Sequence, residues 1–480
     1  MLYFNLIVAY CNKNGIGINN DIPWKITDDL KYFKSITTEN IQSNTKNILI
    51  MGRNTWESIP EKFRPLSGRY NFVLSSKTNF IDSDKVDYIG ISFEETLKYI
   101  ENRKFIYSNS KIFVIGGDYL YNYVMKNHIN NIDKLYITEI YKSIECDKFF
   151  PKIDNTLFKI KNVSKFKEEN DIHFRYFIYE KTNNLYINKE EEQYKNLIQN
   201  ILTEGLIRDD RTGTGTLSLF APYSMKYNLE DTFPLCTIKR GFFRAVFEEL
   251  LLYIRGQTDN NILKDKNIHI WDGNTTREFL DKRGLNHLPE GDMGETYGFN
   301  MRHYGGTYIN CKSEYGKNGF DQLEYVINEI KNNPHSRRIL INLWNPKTIC
   351  NAALPSCLHQ YQFYVDTDKK KLSVQIYLRS SDVFLANNWN VCTGALFVYL
   401  LCNLEDIDLT PGDLTMVCGD AHIYKTHIEL AKQMIERESF PYPKLIVLEK
   451  KKNIEDFMYE DIKLIGYKSH PNDLKGEMAI

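Results

Sequence analysis

The chain has 480 residues, of which 42% are apolar and 26% charged, and its formal net charge is −1. That length implies roughly two to four domains, and the balance is that of an ordinary globular protein able to bury its cores without covalent staples. Near-neutral charge without a basic stripe disfavours nucleic acid or a membrane surface as the main partner, so an anionic ligand must be held by locally clustered cations.

The nine cysteines form no C-x-x-C pair and no zinc spacing, so no metal is expected. Free thiols fit a reducing compartment, and a cytoplasmic location is expected. Residues 1–11 are apolar but lack the basic leader of a signal segment. The late apolar run Gly394–Cys402 is too short to span a bilayer.

Taken in chain order, branched and aromatic runs predict strands at 2–10, 47–51, 70–74, 111–115, 134–140 and 174–180. Helical patterns lie between them at 27–36, 93–102 and 118–127. The alternation predicts an α/β domain over 1–181, with a central, mostly parallel twisted sheet flanked by helices. A short polar linker, 182–189, follows, and a charged helix at Glu190 opens a second domain, 190–480.

Thr27 is expected to cap the first helix, with Asp28 and Asp29 in its first turn. The simplest role for both acids is to oppose the helix dipole. Asp29, however, shares a face with Phe33, and Leu30 continues the helix. Desolvation there should raise its pKa towards the range of a general acid. Ile22-Pro23-Trp24 precedes this helix, and Met51-Gly52-Arg53-Asn54-Thr55-Trp56-Glu57-Ser58 follows the second strand. Pro65-Leu66-Ser67-Gly68-Arg69 and Leu74-Ser75-Ser76-Lys77 bracket the third strand. Ile115-Gly116-Gly117, with Tyr121 four residues on, leads into another helix. Gly-Gly between strand and helix lets backbone N–H groups approach a pyrophosphate, although alone it marks only a turn. Arg53 and Lys77 could clamp an adenosine 2′-phosphate, favouring NADP over NAD.

This ordered set resembles dihydrofolate reductase over residues 3–181. The resemblance implies NADPH as cofactor and dihydrofolate as substrate. It implies that Asp29 binds the pterin and promotes N5 protonation, that Thr138 buttresses Asp29 partly through water, and that Trp24 orders water nearby. Phe33, Ile59 and Leu66 would pack on the substrate rings, and Arg69 would pair with the glutamate α-carboxylate. Ala9, Ile16, Gly17 and Thr55 would flank the nicotinamide ribose. Arg53, Asn54, Ser75, Ser76 and Lys77 would hold the adenosine phosphate, and Ile115, Gly116, Gly117 and Tyr121 would cover the pyrophosphate and nicotinamide.

In the second half, Cys357 precedes an apolar strand at 361–365. Most lone cysteines are inert core residues. Arg211 in a glycine-rich turn, Arg337-Arg338 opening a strand and Arg379 near the end of another argue otherwise, because such arginines can gather one phosphate dianion. A cation near Cys357 would also favour its thiolate.

These segments, with R-T-G-T-G-T, A-L-P-x-C, R-S-x-D-V-F-L and G-D-x-H-I-Y among them, resemble thymidylate synthase over about 190–480. The resemblance implies an α+β domain that forms a homodimer through its sheet. It implies attack by Cys357 on C6 of dUMP, with 5,10-methylenetetrahydrofolate as co-substrate. Arg211, Arg379 and Ser380 would bind phosphate from one subunit, and Arg337 and Arg338 from the other. Asn390 would read the uracil, His422 and Tyr424 the 3′-hydroxyl, and Glu249 and Tyr297 would serve proton transfer. Asp382 would contact the folate pterin, and Trp271, Ala479 and Ile480 would close over it. Ser356 and Leu358 flank Cys357 where the family has Pro and His, and Ala386-Asn387-Asn388-Trp389 stands for Gly-Leu-Pro-Phe. Met301 and Leu252 each replace a usual tryptophan. An altered folate-facing wall is expected, with the two amides turned towards the ligand. Two competing readings are a synthase half serving mainly as a dimerisation scaffold, and an RNA-binding regulator.

Overall fold

The computed structural model describes residues 2–39, 45–107, 109–181, 186–210 and 213–477. The chain divides into two compact units, 1–186 and 187–480. The first four linker positions, as well as Arg211, Ala479 and Ile480, lie outside the described residues.

In the first unit the strands are β1 (Phe4–Tyr10), β2 (Gly15–Gly17), β3 (Asn47–Gly52), β4 (Arg69–Leu74), β5 (Tyr88–Gly90), β6 (Ile112–Val114), β7 (Ile132–Ile140), β8 (Lys148–Phe149), β9 (Lys159–Val163), β10 (Lys167–Glu169) and β11 (Ile172–Glu180). The helices are α1 (Thr27–Thr38), α2 (Arg53–Ser58), α3 (Phe93–Asn102), α4 (Lys104–Tyr107) and α5 (Asp118–Asn127). The main sheet runs β10-β11-β7-β1-β6-β3-β4-β5, with β9 also on β11. Pairing is parallel from β7 through β5 and antiparallel only around β11. Alternation along a strand explains the layering. In β3, Ile48 and Ile50 join one core while Leu49 and Met51 join another on the opposite face. Both faces are therefore covered, as a parallel sheet requires.

The first helix is not capped by Thr27. Ile26 is its N-cap and has no side-chain cap bond. The backbone N–H groups of Thr27 and Asp28 instead donate to the Glu169 carboxylate, at 2.8 and 2.9 Å. An acid from β10 thus meets the positive helix end, a contact 141 residues away that local sequence does not encode.

The second unit opens with α6 (Lys189–Glu204), β12 (Leu206–Arg208), β13 (Thr216–Phe220), β14 (Met225–Asn228), α7 (Phe243–Ile254), α8 (Asn261–Lys264), α9 (Arg277–Lys282), α10 (Tyr297–Arg302) and α11 (Gln322–Asn332). It continues with β15 (Leu340–Asn342), β16 (Leu358–Asp366), β17 (Lys371–Asp382), α12 (Asn387–Cys402), β18 (Thr410–Tyr424), α13 (Ile428–Ile435), β19 (Lys444–Val447) and β20 (Ile462–Ile465). The larger sheet has the order β12-β13-β18-β17-β16-β15. The main core of this unit includes α12, buried almost all round from Val391 to Cys402. Among the described residues no helix is long and apolar enough to cross a membrane. All nine cysteines are free.

One register positions the second site. β17 and β18 run parallel, with Ser380 opposite Asp420 and Asp382 opposite His422. Both strands therefore deliver polar residues to the same end of the sheet, next to the start of β16. Arg337 and Arg338 lie exposed in the loop before β15, which begins three residues later than expected, at Leu340.

Candidate active sites

In the first unit the strand neighbours Ala9 and Thr138 lie side by side in β1 and β7. The Thr138 hydroxyl donates directly to Asp29 Oδ1 at 2.6 Å. Burial pushes the Asp29 carboxyl up to about 6, against the lowering effect of that bond. Leu30 is not the cause, because it is 60% exposed on the open side of the helix. The surroundings come from the sheet side instead. Tyr121 and Tyr176 are close enough to feel the Asp29 charge, and buried Trp24 packs with Ile26, Phe174 and Tyr176, Ala9 lying against them.

Phe33, Ile59 and Leu66 are half-buried around a small core of Met51, Trp56 and Val73. Beside Phe33, Arg69 is buried with neutral partners, the Ser67 carbonyl at 3.0 Å and the Thr37 hydroxyl at 2.8 Å. Its guanidinium lies 5.7 Å from the Phe33 ring centre. A buried cation with neutral partners gains strongly from an incoming carboxylate.

The glycine pair sits between β6 and α5. Gly116 has φ 126°. A Cβ on it would stand 3.4 Å from Thr55 Oγ1, and one on Gly117 would stand 3.1 Å from the same oxygen. The Gly52 N–H donates to the Gly116 carbonyl at 2.8 Å, and Ile115 N–H to Ile50 at 3.0 Å. Tyr121 is held beneath by its hydroxyl on the Ile7 carbonyl at 2.7 Å. Thr55 thus lies tight against both glycines at the start of α5, where a side chain at either position would crowd it. Across the strand ends, Ser75 Oγ donates to the Lys77 carbonyl at 2.7 Å and accepts from the Lys77 N–H at 3.0 Å, while Ser76 and Lys77 are exposed. Arg53, beside Asn54 at the start of α2, pairs with Glu57 at 3.3 Å. Ile16 and Gly17 lie in β2, antiparallel to β8.

In the second unit the Arg379 guanidinium donates to the Ser356 carbonyl at 2.9 Å and the Pro355 carbonyl at 3.1 Å. Its Nη2 also lies 4.0 Å from Cys357 Sγ. The Cys357 backbone N–H donates to the buried Tyr297 hydroxyl at 2.8 Å. Tyr297 stacks on Tyr253 at 4.8 Å, and Tyr253 hydrogen-bonds Glu249. Glu249 also accepts from Trp271 Nε1 at 2.8 Å and Trp389 Nε1 at 2.6 Å. Burial raises its carboxyl above the ordinary range, and these three donors pull it back.

His422 and Tyr424 project together from β18 with rings 5.3 Å apart. Asp420 was not foreseen from sequence, yet its carboxylate holds His422 Nδ1 at 2.9 Å. The signal was present in Gly419-Asp420-Ala421-His422, where residues two apart share a strand face. Asp382 accepts from the N–H groups of Phe384 and Leu385 at 3.0 and 3.1 Å, and burial raises its carboxyl. The Asn390 amide donates to Ala386 at 3.0 Å, and Ser380 is half-buried beside Arg379. Arg337 and Arg338 form no ion pair among the described residues.

The expected wall needs correction. Asn388 does not turn its amide oxygen to a ligand, because that Oδ1 accepts from Cys236 N at 3.0 Å and from the Cys392 thiol at 3.5 Å. It takes up α12-end and loop bonds that a proline could not. Asn387 is fully buried with neither polar atom bonded.

Two chemistries follow from this geometry: proton handling beside a dinucleotide cradle, and covalent attack by a thiol beside an arginine. They define a reductase joined to a cysteine-dependent transferase. The dihydrofolate reductase family profile matches residues 3–181 and the thymidylate synthase profile residues 192–480. Bifunctional dihydrofolate reductase–thymidylate synthases are similar over nearly the whole chain. The Zea mays protein is 39% identical over 99% of this chain and 97% of its own length. Those of Paramecium tetraurelia and Leishmania major are 38% and 37% identical, each over 99% of this chain and over 99% and 95% of their own lengths. The chain belongs to the bifunctional dihydrofolate reductase–thymidylate synthase family.

Proposed function

We propose that one chain carries out two linked reactions, NADPH-dependent reduction of dihydrofolate and methylation of dUMP by 5,10-methylenetetrahydrofolate. The observation that carries this reading is the coexistence of the Asp29–Thr138 pair and the Arg379–Cys357 pair, each intact in its own unit. The scaffold alternative is not favoured, since the relatives are named for both activities and matched across both halves. We place the domain limits at 1–181 and 190–480 with 182–189 between them, the helix that opens the second unit reaching back to Lys189.

In the reductase, the Gly116–Gly117 cradle, Thr55 and the Ser75–Lys77 turn fit NADPH, which when bound supplies the hydride. Arg53 must exchange its Glu57 partner, at least in part, for a phosphate. Asp29 holds the pterin edge as a carboxylate. With a carboxyl at about 6 it exchanges a proton near neutral pH, which supports N5 protonation. Thr138 fixes its orientation, Trp24 excludes and orders solvent, and Arg69 anchors the glutamate tail.

In the synthase, Cys357 attacks C6 of dUMP while Arg379 and Ser380 hold the phosphate. Asn390 reads the uracil, and His422, oriented by Asp420, and Tyr424 hold the sugar. Glu249 and Tyr297 serve proton transfer at the base, and Asp382 and Trp271 face the folate. The exposed Arg337 and Arg338 complete the phosphate site of a second copy, which makes the active form a homodimer. Nine free thiols support a cytoplasmic location. Spectrophotometric assay of both activities on one purified preparation tests the proposal; absence of either contradicts it.

A further inference from the structure

Glu249 lies in α7 with both carboxylate oxygens taken by different indoles. Oε1 accepts from Trp271, and Oε2 accepts from Trp389 at 2.6 Å. The two tryptophans reach it from separate segments, Trp271 from the turn after α8 and Trp389 from the first turn of α12. A phenylalanine at 389 would fill the same space but have no N–H to give. The other groups facing this carboxylate are phenols: Tyr253 on its own helix, Tyr297 on α10 and Tyr361 on β16. The charge of Glu249 is therefore supported by N–H and O–H donors rather than by a cation.

We propose that Trp389 is a positioning residue for the methylation step, its indole N–H fixing the orientation of the Glu249 carboxylate through Oε2. This rests on the reading that Glu249 serves proton transfer. A carboxylate bonded at one oxygen can still turn about its terminal torsion, whereas one bonded at both presents a single face. The same bond stabilises the ionised form, since a donor to the charged state opposes burial. Trp389 thus does more than fill space: beside Trp271 it gives the chain a second clamp on its proton-transfer group.

The test is the pH dependence of dTMP formation by the full chain carrying Trp389→Phe. Removing a donor to the carboxylate raises the Glu249 pKa, so the acid limb of kcat moves to higher pH. The expected move is about one pH unit, roughly a tenfold lower rate on that limb, with the dUMP KM changed by less than about threefold. A second variant places benzothienylalanine at 389, keeping the ring shape and replacing only the N–H by sulfur. It should show the same move even if the phenylalanine variant folds poorly. An unmoved limb in the benzothienyl variant would overturn the proposal, even with a uniformly lower rate. Glu249→Gln separates the two levels of the argument. It should abolish turnover while dUMP still binds. Normal turnover in that variant would instead overturn the role of Glu249 itself.

Discussion

Asp29 carries a cost that can be measured. Its carboxyl titrates at about 6 against an ordinary 3.8 because burial disfavours the charged form. The sign follows from linkage. The folded state binds the proton more tightly than the unfolded chain, so stability is greatest below about pH 4 and is lost as pH rises through about 6. Above that, the gap between the two values corresponds to about 3 kcal/mol. Asp29→Asn removes the buried charge, and its amide oxygen can still accept from Thr138. We expect the first unit to gain about 2–3 kcal/mol at pH 7, with the gain vanishing near pH 4, while dihydrofolate reduction is lost and dUMP methylation persists. Native-state hydrogen exchange on the full chain, read at Val8 in β1 and Ile137 in β7, reports the stability of this unit alone. Equal protection of parent and variant at pH 7, or retained reductase turnover, would refute the reasoning.

Three further outcomes follow from the second unit. Asp420→Asn weakens the hold on His422 and should raise the dUMP KM about tenfold, the worth of one charge-assisted bond, with kcat less affected; steady-state kinetics at saturating folate reads it. Asn387→Leu replaces a buried amide that has no partner, and should stabilise the synthase unit by about 1–3 kcal/mol in urea unfolding. Mixing Cys357→Ala chains with Arg338→Ala chains should restore part of the methylation activity, because one site of the heterodimer then has both residues intact. No recovery, with subunit exchange shown by tagged chains, would contradict the shared phosphate site.

The fold was most legible where a signal is local and repeated. Ile48 to Met51 read as a strand because all four side chains are apolar and both faces are buried. Helix α3 carries its own Ser92 cap and was placed at 93–102. Short strands such as β2, β8 and β10 escaped, since two or three residues carry no period and exist only because a partner strand lies beside them. The fifteen-residue β18 was not among the expected strands, although it lies at the centre of the second sheet. Pairings across long separations leave no local signal: the Thr138–Asp29 pair was expected only from the family resemblance, and the Trp389–Glu249 bond was not expected at all. Thr138 and Asp29 are 109 residues apart, and Trp389 and Glu249 are 140 apart. Asn388 shows the limit most clearly. Compared with a family position it looked like a defect in a wall, but its oxygen closes a bond to Cys236 that only the folded chain reveals.

The central claim is that one chain closes a folate cycle, and a single reaction tests it. Purified protein is given dUMP and NADPH in excess, formaldehyde as the one-carbon source, and tetrahydrofolate at a small fraction of the dUMP. Each methylation leaves dihydrofolate, so dTMP can exceed the added folate only if the reductase half regenerates it. The unmutated chain should yield many equivalents of dTMP per folate, the Asp29→Asn chain about one and the Cys357→Ser chain none. An unmutated chain that stops at one equivalent, or a Cys357→Ser chain that continues, would contradict it.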